Sequence, residues 1–298
     1  MAITAQSVKE LREMTGCGMM DCKKALSETN GDMDKAVEYL REKGLAKAAK
    51  KAGRIAAEGI VMAYTEGKVS VVVEVNAETD FVAKNDQFLD FVKTVAKTIA
   101  KNNPADVEAL KAMDADGMTI GDMLTEKIAK IGENMNIRRF VRYEGDCVTY
   151  VHGEGKIGVV VKFDTDVADK PGFEEMGKDV CMQITAMNAP YLNRESVPAE
   201  VVEHEKEILT VQAMNEGKPE EIAKKMVMGR INKYYKENCL LEQEYVKNGD
   251  MSVKQYIDSV AKELGGTITL VDYARIEKGE GIEKKEEDFA AEVASMIK

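Results

Sequence analysis

One apolar strand pattern occurs twice in this chain. Gly67-Lys68-Val69-Ser70-Val71-Val72-Val73 returns as Gly155-Lys156-Ile157-Gly158-Val159-Val160-Val161, each time a glycine-lysine turn leading into a β-branched run. Downstream of each, apolar residues keep the spacing of one helix face: Phe88, Phe91, Val95 and Ile99 in the first copy, Phe173, Met176, Val180 and Ile184 in the second. A further alternating stretch, Gly59 to Tyr64, precedes the first turn, so the unit reads strand, strand, helix. A duplicated unit of this kind restricts the middle of the chain to two related α+β lobes.

The flanks follow different rules. Ahead of the first copy, Thr4 to Arg12, Met19 to Thr29 and the segment holding Ala36, Val37 and Leu40 predict three short helices; Asn30-Gly31 stops the second and Asp32 caps the third. Gly44 to Lys51 is mostly Ala and Lys, which suits an exposed connecting helix or linker, so residues 1–53 form a bundle plus linker. Residues 54–140 form the first lobe, in which Met123 to Ile137 predict one or two helices interrupted by Gly132, followed by a strand at Phe140 to Tyr143. Residues 141–278 form the second lobe. Ser196-Val197-Pro198 starts a helix there, and the turn at Gly217-Lys218-Pro219 sends a second one back, an antiparallel hairpin inserted at about 196–238. A strand over Thr267 to Ile276 closes that lobe, and residues 279–298 end in an amphipathic segment where Phe289, Ala290, Val293 and Ile297 share a face.

Charge and chemistry exclude more than they assign. With 42 Lys and Arg against 53 Asp and Glu, the net charge of −11 disfavours direct nucleic-acid binding. No apolar run reaches the roughly 20 residues of a membrane span, and the amino terminus does not read as a signal peptide, so the expected compartment is the cytoplasm. The cysteines at 17, 22, 147, 181 and 239 are odd in number and contain no Cys-x-x-Cys, which fits free thiols. No phosphate-binding loop sits between a strand and a helix, and His152 and His204 form no triad, so neither cofactor, metal nor chemical catalysis is expected.

The informative difference lies between the repeats. The connection from strand to helix, Asn76 to Gln87, is three residues longer than its counterpart, Asp164 to Gly172. Its extra content surrounds Asp80-Phe81, an aromatic that the fold does not need, flanked by charges; it is either an interface anchor or a lid on its own lobe. Met19 and Met20 are adjacent and cannot both face one small core, so at least one is open to a partner.

These segments also resemble a known family. Thr15-Gly16-Cys17-Gly18-Met19-Met20-Asp21-Cys22-Lys23-Lys24-Ala25-Leu26 and Glu74-Val75-Asn76-Ala77-Glu78-Thr79-Asp80-Phe81-Val82-Ala83-Lys84 are similar to the two signatures of elongation factor Ts. Lys130 to Arg139, Gly217 to Ala223 and Gly279 to Lys284 extend the likeness along the chain. The resemblance implies a non-enzymatic guanine-nucleotide exchange factor for elongation factor Tu, with an amino-terminal bundle of the ubiquitin-associated type on the partner's GTPase domain. It implies that Thr79, Asp80, Phe81 and Val82 dislodge the partner's Mg2+, and it assigns partner contacts to Arg12, Met19, Met20, Lys23 and Phe289. The hairpin is then a coiled-coil arm, with self-association through it left open. Two other readings start from the residues themselves: an adaptor that binds small domains through the bundle, and an enzyme with Asp80 in the cleft between the lobes.

Overall fold

The computed structural model describes residues 3–15, 17–217 and 219–283, a mixed α+β chain. Helices α1 (Ala5–Thr15), α2 (Met19–Glu28) and α3 (Met33–Lys51) enclose a small core of Val8, Leu11, Cys22, Ala25, Leu26, Ala36 and Leu40. Asn30 and Gly31 take left-handed backbone conformations that turn the chain after α2. The Asp32 side chain then accepts the Lys35 N–H at 3.1 Å and starts α3. The Gly44 to Lys51 stretch is not a separate linker: it continues α3, and its inner side leans on the first lobe. Gly44 is buried with the Ala129 side chain against it, and Ala48 packs on the lobe's core.

The first lobe contains β1 (Glu58–Glu66), β2 (Val69–Ala77), the one-turn helix α4 (Asp80–Ala83), α5 (Asp86–Asn102), α6 (Val107–Lys111), the short pair β3 (Asp114–Ala115) and β4 (Met118–Thr119), α7 (Ile120–Ile131) and β5 (Met135–Glu144). Its antiparallel sheet runs β1-β2-β5. Two expectations need correction. Gly132 ends α7 in a left-handed conformation instead of interrupting a longer helix, and Ile137 belongs to β5, buried in the sheet. Nor does the lobe end at residue 140, because β5 pairs with β2 as far as Glu144. The turn at Gly145 is where the chain passes to the second lobe.

That lobe has β6 (Asp146–His152), β7 (Ile157–Thr165), α8 (Phe173–Met187), the long helices α9 (Ala199–Asn215) and α10 (Glu220–Asn238), the pair β8 (Glu244–Tyr245) and β9 (Asn248–Ser252), α11 (Val253–Leu264) and β10 (Ile268–Glu277). Its sheet runs β10-β7-β6, the first lobe's order with the second copy's strands in equivalent places. Helices α9 and α10 pack chiefly on each other, burying Ala213, Val227 and Ile231.

Strand alternation explains how the lobes join. On β2, Val71, Val73 and Val75 face α5, while Val72 faces the other way; on β7, Val159 and Val161 face α8 and Val160 faces away. Val72 and Val160 meet with Val61 and Ile276 in a separate core between the two sheets. All eight helix positions read from the repeat, Phe88 to Ile99 and Phe173 to Ile184, are buried. The helices therefore lie outside and the two sheets lie back to back, which is why β2 and β7 are apolar on both faces.

Candidate functional site

The loop after β2 is built outward from its anchors. Val82 is buried in the first lobe's core, and Thr79 caps α4 by accepting the Val82 N–H at 3.4 Å. The same Thr79 donates its hydroxyl to Glu133 at 2.7 Å and its backbone N–H to Glu133 at 3.0 Å. With residues 79 and 82 held inward, residue 81 on a single helical turn must point out. Phe81 is 82% exposed. A ring folded back as a lid on its own lobe would be covered, whereas this one is open. Asp80 stands beside it, exposed, with Lys84 at 3.6 Å.

This part of the sequence-derived set therefore divides. Asp80 and Phe81 face outward, whereas Val82 serves as the buried peg and Thr79 as the cap. Phe81 stands on the rim of an open groove of about 1350 Å³ whose other walls include Arg54, Ile55, Glu58, Glu154 and Lys278. Among the described residues, no group of three or more His, Cys, Asp or Glu is placed to hold a metal ion.

On the bundle, Met19 is 57% exposed and Met20 74%, so both neighbours are open, together with Met14 on α1. Arg12 and Lys23 are exposed as well. Asp21 between them pairs with Lys47 of α3 at 3.0 Å across the surface of the bundle. None of these bundle residues lines the groove beside Phe81, so the exposed methionines and the groove lie on separate parts of the surface. Phe289 and the expected terminal helix lie outside the described residues. Residues 279–281 form a turn held on the first lobe: the Gly279 N–H donates to Glu74 at 2.7 Å, and Arg139 donates to the Glu277 carbonyl at 3.0 Å.

The five cysteines are free; burial pushes the Cys181 thiol up to about 12 and those of Cys147 and Cys239 to about 11. His152 sits at the end of β6, 3.1 Å from the Tyr150 hydroxyl, and His204 lies on α9. Glu133, which sequence reasoning passes over, is the residue that fixes Thr79. Its only signal is its place in the Lys130 to Arg139 motif, since partners this far apart leave no periodic trace.

Comparison with known proteins identifies the family. The family described as Elongation factor TS matches residues 78–280. The chain belongs to the elongation factor Ts family. It is 56% identical over 300 residues to Elongation factor Ts of Clostridium perfringens strain SM101, covering 99% of both chains. It is 52% identical over 303 residues to Elongation factor Ts of Syntrophotalea carbinolica, covering 100% of both, and 53% identical over 303 residues to that of Clostridium kluyveri, covering 99% of both. The family match begins at Glu78, one residue before the cap of α4, and ends at Glu280 in the pinned turn. No helix among the described residues is long and apolar enough to cross a membrane.

Proposed function

We propose that this member of the elongation factor Ts family is a guanine-nucleotide exchange factor: it binds elongation factor Tu carrying GDP, displaces the Mg2+ there and speeds GDP release so that GTP can bind during translation elongation. The observation that carries this reading is Phe81, an exposed aromatic on a one-turn helix whose two neighbours in the lobe, Thr79 and Val82, are held down. A ring presented this way loses little freedom on docking, which is what an anchor requires.

No bond need be made or broken. Magnesium bridges a nucleotide's phosphates to its protein, so moving the ion or its ligands removes a large charge stabilisation. Asp80 and Phe81 supply the intrusion and Val82 the peg behind it; Arg12, Met19, Met20 and Lys23 hold the GTPase domain from the bundle, with Phe289 a further contact. The small helical core around Leu11, Leu26 and Leu40 supports reading that bundle as ubiquitin-associated-like, and the mutual packing of α9 and α10 supports reading them as a coiled-coil arm. The compartment is the cytoplasm, where translation takes place.

Coupling is reciprocal, so a factor that weakens GDP binding is itself weakened by nucleotide and leaves when GTP binds. A coupling of ~4 kcal/mol corresponds to about a thousandfold change in nucleotide affinity.

The test is release of labelled GDP from elongation factor Tu, titrated with the full chain and with Phe81→Ala. Expected is a maximal rate lowered about tenfold or more, with the half-saturating concentration moved far less, because the bundle contact persists. Unchanged release would remove Phe81 from the mechanism. Binding without any stimulation by the unmodified chain would favour the adaptor reading that the exposed methionines also permit.

A further inference from the structure

We infer that Glu133 and Asn134, the corner between α7 and β5, are positioning residues that aim Phe81 and lock the loop carrying it to the chain leaving the bundle; the functional half of this inference rests on the exchange-factor reading.

Three segments meet at the corner. Glu133 accepts both Thr79 donors, the N–H and the hydroxyl, at 3.0 and 2.7 Å. The buried Asn134 donates its backbone N–H to Glu78 and its side-chain amide to the Arg54 carbonyl, the latter at 2.7 Å. Arg54 closes the circle with an ion pair to Glu78 at 3.6 Å. Residue 54 follows α3, so the corner joins the exit of the bundle to the start of the loop.

Such a clasp is needed because α4 is one turn long, too short to hold its own direction. Val82 fixes where the turn sits, but a single apolar peg permits rotation about itself. The pair of bonds at Thr79 removes that rotation, and with it the freedom of Phe81. Bonds to a charged carboxylate are the stronger class, so the orientation is well determined before any partner arrives.

The second copy supplies an internal control. There Asp166, in the shorter connection after β7, accepts the Thr267 N–H at 2.7 Å and the Thr267 hydroxyl at 3.2 Å. The clasp between corner and connection is thus duplicated with its acceptor moved from the corner to the connection. Only the first copy's clasp carries an inserted, exposed aromatic.

The experiment uses the full chain with Glu133→Gln, Thr79→Val, Thr79→Ser and Asp166→Asn. Backbone amide exchange over residues 79–82 is followed in the free proteins, and GDP release from elongation factor Tu is titrated with each. For Glu133→Gln and Thr79→Val, exchange at 79–82 should quicken about tenfold. The maximal release rate should fall about tenfold while the half-saturating concentration changes less than about twofold. Thr79→Ser, which keeps the hydroxyl, should restore both readouts, and Asp166→Asn should change neither. Unaltered amide exchange in Glu133→Gln and Thr79→Val would overturn the clasp itself, whatever the chain binds. Faster exchange with normal release would overturn its role in aiming Phe81. Failure of Phe81→Ala to lower release would instead strike the exchange-factor reading, and the amide measurement would still decide the clasp.

Discussion

At the scale of single residues, the most constrained group outside the loop is Glu74, a carboxylate with no exposed surface in the middle of β2. A bulge in β5 opposite it admits one extra residue, so Arg138 and Arg139, which would otherwise face opposite sides of the sheet, both reach the same carboxylate at 3.1 and 2.7 Å. Burial alone would raise the pKa of Glu74. The Gly279 N–H, the Asn76 amide and Arg139 outweigh that and hold it below its ordinary value of 4.5. A lowered carboxylate pKa means that the native state favours the charged form. Its contribution is complete above about pH 4.5 and is lost as pH falls through the depressed native value. Glu74→Ala strands two arginines and the Gly279 N–H, and should cost about 3–5 kcal/mol near neutral pH. Urea unfolding of the two proteins across pH 7 to 3 tests this: the gap between them should be constant down to about pH 4.5 and narrow below it. Gly279 belongs to the same arrangement, since a Cβ there would lie 2.4 Å from the Ala57 carbonyl oxygen. Phe81 is legible in the sequence because a loop longer than its repeat draws the eye. Glu74 and Glu133 are not, because a polar pair formed across long sequence separation has no spacing to read.

At the scale of elements, the duplication is larger than its apolar pattern. Both outer helices, α5 and α8, end on an asparagine in the left-handed region, Asn103 and Asn188. A short β pair then precedes a helix capped by a hydroxyl, Thr119 for α7 and Ser252 for α11, and each of those helices ends on a glycine, Gly132 and Gly265. Strands and first helices are readable because buried faces demand apolar periodicity. The later elements are shared between the copies through caps and turns, whose residues are interchangeable, so they leave no apolar repeat to read in the sequence. For the same reason the pattern around Ile137 suggests a helix: one apolar residue after a glycine fits either period. The sheet-on-sheet contact makes its own demand at Gly158, where a Cβ would lie 2.5 Å from Val61 Cγ1 and 2.8 Å from Val72 Cγ1. β-branched side chains cannot swing aside, so Gly158→Ala should lose about 1–3 kcal/mol. Adding Val72→Ala to Gly158→Ala should cost less than Val72→Ala does alone, because the small side chain makes room for the new methyl. A double-mutant cycle by chemical denaturation measures that coupling, and strict additivity would mean that the sheets slide apart to absorb the change.

For the whole molecule, the question is what the long hairpin contributes. Its helices enter and leave the second lobe side by side: Tyr191 and Cys239 form a bridge, with the Leu240 N–H on the Tyr191 carbonyl at 2.8 Å and the Tyr191 N–H on the Asn238 carbonyl at 3.2 Å. The first copy passes from α5 to α6 at the equivalent place with only a short loop. Along the hairpin, Val211, Met214, Ile222 and Met228 are about half exposed or more, so it covers little of the lobe and presents apolar surface outward. Those observations describe an insertion whose ends are already closed by the lobe, and whose removal leaves no hole in the core formed by Val161, Phe163, Val180, Ile184 and Leu240. Replacing residues 199–236 with a short Gly-Ser linker should therefore leave the thermal midpoint within a few degrees, the shift expected for about 1–2 kcal/mol in a chain of this size. The far-UV helical signal should fall in proportion to the helix removed. At the base of the hairpin, Arg194 donates to Asn232 at 3.1 Å in an exposed bond and lies over the half-buried Tyr235 ring at 4.7 Å, and removing the two accounts for a change of that order. A collapse of the midpoint would show instead that α9 and α10 complete the second lobe, and the hairpin would then be part of the fold rather than an arm carried by it.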